Sequence, residues 1–229
     1  MDFDGDGRID VLSGSWPGEI YLFRRTDDGF AAPEILKDAE GEPINVGSAA
    51  AAFAFDWDAD GDLDLLVGTI EGHVHLVPNE GTANAPAWGA ATRLQAQGED
   101  IEVGHGDAGP FVADWDGDGL PDLVVGAGSG EVIWYRNSGT REAPELETAR
   151  TLVSAGESRS PDDAETPRRG TRSKICVADY NADGRLDLLV GDFSMTETKL
   201  APLTKEQEQE REAVQERYGK IVQRYLNVR

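Results

Sequence analysis

One nine-residue pattern occurs four times in this chain, and that repetition confines it to folds built as arrays of like units. The pattern is Asp-x-Asp-x-Asp-Gly-x-x-Asp, with one substitution, and an apolar run ending in Gly follows each copy. The first aspartates, Asp2, Asp56, Asp114 and Asp179, are 54, 58 and 65 residues apart. The apolar runs are Val11–Gly14, Leu65–Gly68, Leu123–Gly126 and Leu188–Gly191.

More than the acids repeats. A second apolar stretch follows a turn after each of the first three runs: Ile20–Phe23, Val74–Val77 and Val132–Tyr135. Copies two and three continue with Asn79-Glu80-Gly81-Thr82 and Asn137-Ser138-Gly139-Thr140, then Pro86 and Pro144. Weaker strands are expected around Glu34–Lys37, Thr92–Gln95 and Ala149–Val153. Strands are also expected ahead of copies two to four, at Ala51–Phe55, Pro110–Ala113 and Ser173–Ala178. Each unit therefore reads as strand, acidic loop, strand, turn, strand, turn, strand. This predicts an all-β partial β-propeller of about four four-stranded antiparallel blades, the first and last incomplete, plus a C-terminal α-helix. An open stack of β-rich repeats is the alternative architecture.

The loop suits a hard divalent cation. Calcium takes 6–8 oxygens, and acids at positions 1, 3 and 5 of a tight turn can direct alternate oxygens inward. Gly at position 6 permits the bend. Position 7 contributes a backbone carbonyl, so its side chain can vary. The expected ligands are Asp2, Asp4, Asp6, Arg8 and Asp10 in loop one and Asp56, Asp58, Asp60, Asp62 and Asp64 in loop two. Loop three supplies Asp114, Asp116, Asp118, Leu120 and Asp122, and loop four Asp179, Asn181, Asp183, Arg185 and Asp187. Arg8, Asp62, Leu120 and Arg185 act through their carbonyls. Up to four Ca2+ ions are expected, one per loop. Loop four should bind more weakly, because Asn181 replaces an acid. An EF-hand is excluded: position 12 is Ser13, Val67, Val125 or Val190 rather than Glu, and a strand rather than a helix follows.

These residues resemble the FG-GAP/VCBS repeat family, whose relatives include the propellers of integrin α subunits. The resemblance covers residues 1–195 and rests on the Asp loops, the Leu-Leu-Val-Gly runs and the Asn-x-Gly-Thr turns. It implies calcium in the loop between strands one and two of a blade. It also implies a module that binds protein or carbohydrate, outside the cell, in the periplasm or at the cell surface. Some relatives form part of carbohydrate-active enzymes (polysaccharide lyases or hydrolases), which is the alternative function. Family propellers have seven or eight blades, so four interrupted ones are read as a fragment. The blades are placed at approximately 1–48, 49–106, 107–171 and 172–195, with 196–229 as a helical insertion or C-terminal helix.

Composition narrows the partners. The formal charge is -23, with 44 acidic residues against 21 basic. A surface so negative repels nucleic acid and anionic membrane. No 18-residue apolar run exists to span a bilayer, so membrane insertion is not expected. Cys176 excludes an intramolecular disulfide, being the sole cysteine, and its apolar neighbours place it in the core.

Near the C-terminus, Thr204 and Gln207 form a capping-box signature. Val214, Tyr218, Ile221, Val222 and Tyr225 recur at helical spacing and offer a contact for a partner. Variable segments on one face, Ser15–Gly18 with Trp16, Gln97–Gly109 and Ala155–Thr171, are candidate binding loops. Arg168, Arg169, Arg172 and Lys174 form a basic cluster. No nucleophile elbow, phosphate loop or zinc-protease motif is present, so the chain is not expected to be an enzyme. His73 and His75, with Val74 between them, are read as pointing apart, which argues against a shared zinc site.

Overall fold

The computed structural model describes residues 1–155, 170–194 and 204–226. The chain divides into two compact units, Met1–Met195 and Thr196–Arg229. The first unit holds β1 (Val11–Gly14), β2 (Ile20–Phe23), β3 (Arg25–Thr26), β4 (Gly29–Phe30) and β5 (Glu34–Ile35). Next come β6 (Ala51–Phe55), β7 (Asp64–Gly68), β8 (Val74–Val77), β9 (Thr92–Arg93), β10 (Gln95–Ala96) and β11 (Glu99–Asp100). The rest are β12 (Gly109–Ala113), β13 (Asp122–Gly126), β14 (Val132–Tyr135), β15 (Arg150–Val153), β16 (Thr171–Ala178) and β17 (Asp187–Phe193).

These pair into a partial propeller. Blades two and three are complete four-stranded sheets, β6-β7-β8-β9 and β12-β13-β14-β15. Blade one is β1-β2-β5, and blade four, among the described residues, is β16-β17. All pairings within the blades are antiparallel. The second strand of each complete blade is buried along its whole length, because neighbours cover both faces. That sandwiching explains why β7 and β13 read as unbroken apolar runs rather than alternating ones.

Alternation assigns each side chain to one seam. Leu65 and Val67 pack with Ile20, Leu22 and Trp88 between blades one and two. Leu66 packs with Val112, Leu123, Val125 and Tyr135 between blades two and three. Full burial of each such side chain is worth about 1.5–3 kcal/mol. The glycine closing each of the first three apolar runs sits against main chain of the next blade. A Cβ at Gly14, Gly68 or Gly126 would lie 2.0, 2.2 and 2.2 Å from the carbonyl oxygens of Ala50, Ala108 and Ser173.

Three sequence expectations need correction. Cys176 is exposed, not core. It occupies the strand position of Phe53 and Phe111, whose rings stack across a seam at 4.6 Å. Its alternation partners Ser173 and Val177 take the inward side instead. The imidazoles of His73 and His75 lie 6.3 Å apart, edge to face, since residues two apart share a face of a strand. The stretch Gln97–Gly109 is partly core: Ile101, Val103 and Ala108 are buried.

Trp16 is 70% exposed. Lys174 and Arg172 pair with Asp107, at 3.0 and 3.9 Å. Arg168 and Arg169 lie outside the described residues.

The second unit contains α1 (Lys205–Leu226). Its capping box is formed: Thr204 N–H donates to Gln207 Oε1 at 2.9 Å, and Gln207 N–H donates to Thr204 Oγ1 at 3.3 Å. Val214 and Tyr218 are exposed. The side chains of Ile221, Val222 and Tyr225 lie outside the described residues. No helix among the described residues is long and apolar enough to cross a membrane.

Candidate metal centre

Each loop is a tight turn tied by its own aspartates. Two residues per loop adopt positive φ, at positions 4 and 6: Gly5 and Gly7, Ala59 and Gly61, Gly117 and Gly119, Ala182 and Gly184. Position 6 is always Gly, while position 4 accepts Ala at φ 61 and 59. The position-1 carboxylate accepts from the main chain across the turn. Gly7 N–H donates to Asp2 Oδ2 at 2.8 Å, Gly119 N–H to Asp114 Oδ2 at 2.9 Å, and Gly184 N–H to Asp179 Oδ2 at 2.9 Å.

The position-9 aspartate ties the loop to the third strand's exit. Asp122 Oδ2 accepts from Trp115 N–H at 3.1 Å and its Oδ1 from Asn137 N–H at 2.7 Å. Asp64 does the same with Trp57 and Asn79, at 2.9 and 2.7 Å, and Asp10 with Phe3 and Arg25, at 2.9 and 2.7 Å. In loop four, Asp187 takes Tyr180 N–H at 3.0 Å. Asn79 and Asn137 in turn brace the next turn: Asn137 Oδ1 accepts from Gly139 and Glu145 N–H, both at 2.9 Å.

Three loops bring carboxylates together. One oxygen from each of Asp2, Asp4 and Asp6 lies within 4.8 Å of the others, and so do those of Asp56, Asp58 and Asp64, and of Asp114, Asp116 and Asp122. Oxygens sharing one calcium shell at bond lengths of about 2.3–2.6 Å can be no more than about 5 Å apart. Loop four forms no such group; Asp179 and Asp183 are exposed, and Asn181 Nδ2 donates to Asp183 Oδ2 at 3.3 Å. Asp6 groups with Asp2 and Asp4 in loop one, whereas Asp60 and Asp118 lie outside the triads of their loops.

The donor set fits a hard cation. Asp56 Oδ1, Asp62 Oδ1 and Asp114 Oδ1 are buried without a hydrogen-bond partner. Buried, unpaired carboxylate oxygens are costly unless something positive meets them. Asp62 is only 7% exposed, and burial, then the charges of Asp60, Asp58 and Asp56, push its carboxyl above the ordinary value. Burial likewise raises Asp64 and Asp122 against the pull of their backbone hydrogen bonds.

The sequence reading overlooked the Asp62 side chain and three arginines. An acid at the position where the other loops carry Arg or Leu was the available signal. Arg24 Nη1 bonds Asp4 Oδ2 at 2.6 Å, and Arg136 Nε bonds Asp116 Oδ2 at 2.5 Å while its Nη2 meets Asp118. Arg141 crosses from blade three, with Nη2 3.8 Å from Asp56 Oδ2 and its guanidinium 5.1 Å from the Phe55 ring centroid.

The family model described as an FG-GAP-like repeat matches residues 2–67, 56–125 and 114–190, each match starting at the first aspartate of a loop. The chain belongs to the FG-GAP-like repeat family. Each FG-GAP-like match runs from one acidic loop into the second strand of the next blade, so it spans a blade seam. No curated protein matches the chain.

Proposed function

We propose that this FG-GAP-like chain is a calcium-stabilised, non-catalytic β-propeller module that binds a protein or carbohydrate outside the cell or at its surface. The observation that carries the reading is the meeting of converging carboxylates with buried, unpaired oxygens at Asp56, Asp62 and Asp114. Asp2, Asp4 and Asp6, Asp56, Asp58 and Asp64, and Asp114, Asp116 and Asp122 would hold the ions, joined by the Asp62 side chain. Bound calcium supplies positive charge that offsets the repulsion among these acids. The chain's own residues set the turn, orient the oxygens and tie each loop to its blade. Rigid blades then present the turns on the opposite face, where Trp16 stands exposed, to a partner. The acidic surface disfavours nucleic acid as that partner.

Thermal unfolding with calcium and with a chelator tests the metal reading. A site held at 100 times its Kd adds about 2.7 kcal/mol, which in a domain of this size is about 5–10 °C. Superimposable curves would remove the basis for the proposal.

A further inference from the structure

The three triad loops are not alike in the charges around them. The residue 14 positions after the position-9 aspartate is Arg24 in blade one, Pro78 in blade two and Arg136 in blade three. Arg24 lies on Asp4 of its loop, where Arg8 also pairs with Asp6 at 3.1 Å, and Arg136 lies on Asp116 and Asp118; Arg24 and Arg136 each also touch a second acid beyond the loop. Arg24 Nε bonds Glu34 at 2.5 Å, and Arg136 Nη1 lies 3.6 Å from Glu147. Loop two has no such cation. Among the described residues, Asp58 and Asp60 have no cationic partner within 4.0 Å, and Arg141 approaches only Asp56, at 3.8 Å. Loop two alone also adds a fifth carboxylate, Asp62, 7% exposed with one oxygen unpaired beside Asp56, Asp58 and Asp60.

We infer that the loops are graded: loop two is the high-affinity calcium site, while Arg24 and Arg136 are resident counter-ions that calcium must displace from loops one and three. Glu34 and Glu147 receive the displaced guanidiniums, so the arginines keep a partner in both states. Loop two brings five carboxylates and has no arginine on Asp58 or Asp60 to expel, its nearest cation being Arg141 at 3.8 Å from Asp56. The inference rests on the metal reading of the loops and adds an order of filling to it. Trp57 of loop two is buried in the core shared by blades two and three, so the first ion binds beside that seam.

Calorimetric titration of the chelator-stripped chain with calcium chloride tests this. The wild type should show a tight phase of one ion followed by weaker binding. Asp60→Asn should weaken the tight phase and leave the weaker one in place. Arg24→Gln and Arg136→Gln should each tighten part of the weaker phase by about 1.5-fold to fivefold, the range expected for partly exposed ion pairs. Pro78→Arg, which installs the counter-ion in blade two, should weaken the tight phase by a similar factor, and it remains informative if an arginine variant misfolds. Three equal affinities in the wild type, or arginine variants that bind no tighter, would overturn the grading while leaving the metal reading intact. No heat at millimolar calcium would overturn both.

Discussion

Replacing Asp122 with Ala separates the two roles its carboxylate can play. In the structure it is fully buried and accepts from two main-chain donors, Trp115 N–H and Asn137 N–H. Removing it strands both. A buried donor left unpaired costs about 1–3 kcal/mol, and Asn137 is wholly buried while the Trp115 bond is only partly so. Two such losses come to about 2–5 kcal/mol by that measure. An offset comes from burial, which already disfavours the ionised form and raises the Asp122 carboxyl above its ordinary value. Relief of that burden offsets part of the cost, so the net loss should fall toward the lower end of about 2–5 kcal/mol. The brace does not need metal, so the loss should appear in chelator and grow when calcium is added. Urea unfolding of wild type and Asp122→Ala, in both conditions, measures it. A variant as stable as wild type in chelator, yet weakened with calcium, would refute the brace and leave Asp122 as a ligand alone.

Two further outcomes follow from the seams and from one histidine. Gly126→Ala places a Cβ 2.2 Å from Ser173 O and should cost about 1–3 kcal/mol in urea unfolding; Gly191→Ala, whose nearest neighbour is 3.8 Å away, should stay within about 0.5 kcal/mol of wild type. Equal losses would show that the glycine matters for backbone freedom and not for the joint. Burial, then the charges of Arg93 and His73, holds the His75 imidazole below its ordinary value, against smaller opposing pulls from a backbone hydrogen bond at Val67 and from Glu71. The unfolded chain therefore takes up a proton that the native one resists, and stability falls as pH drops below about 6.5. His75→Gln should lose less stability than wild type between pH 7.5 and 5.5, followed by chemical denaturation; parallel curves would exclude the contribution.

The strands and loops were readable because their signals are local. Leu65–Gly68 and Leu123–Gly126 announce strands by composition, and Gly at position 6 announces the turn. Three things escaped because they depend on what lies across a gap. Arg24 and Arg136 reach the loops from the ends of β2 and β14, about 20 residues along the chain. Apolar neighbours gave Cys176 a core environment by analogy, yet strand alternation turns it to the outward side. The sequence places position 9 among the ligands, and nothing in its spacing reveals that both Asp122 oxygens already serve Trp115 and Asn137.

The joint between blades is main chain resting on bare Cα, at Gly14 with Ala50, Gly68 with Ala108, and Gly126 with Ser173. Stacking is thereby keyed by atoms that every residue carries, not by matched side chains. Segments of unequal length can bulge from the rim while the pitch from one sheet to the next stays constant. Such an array can diversify its outer turns freely, and the glycines would be the positions least able to change.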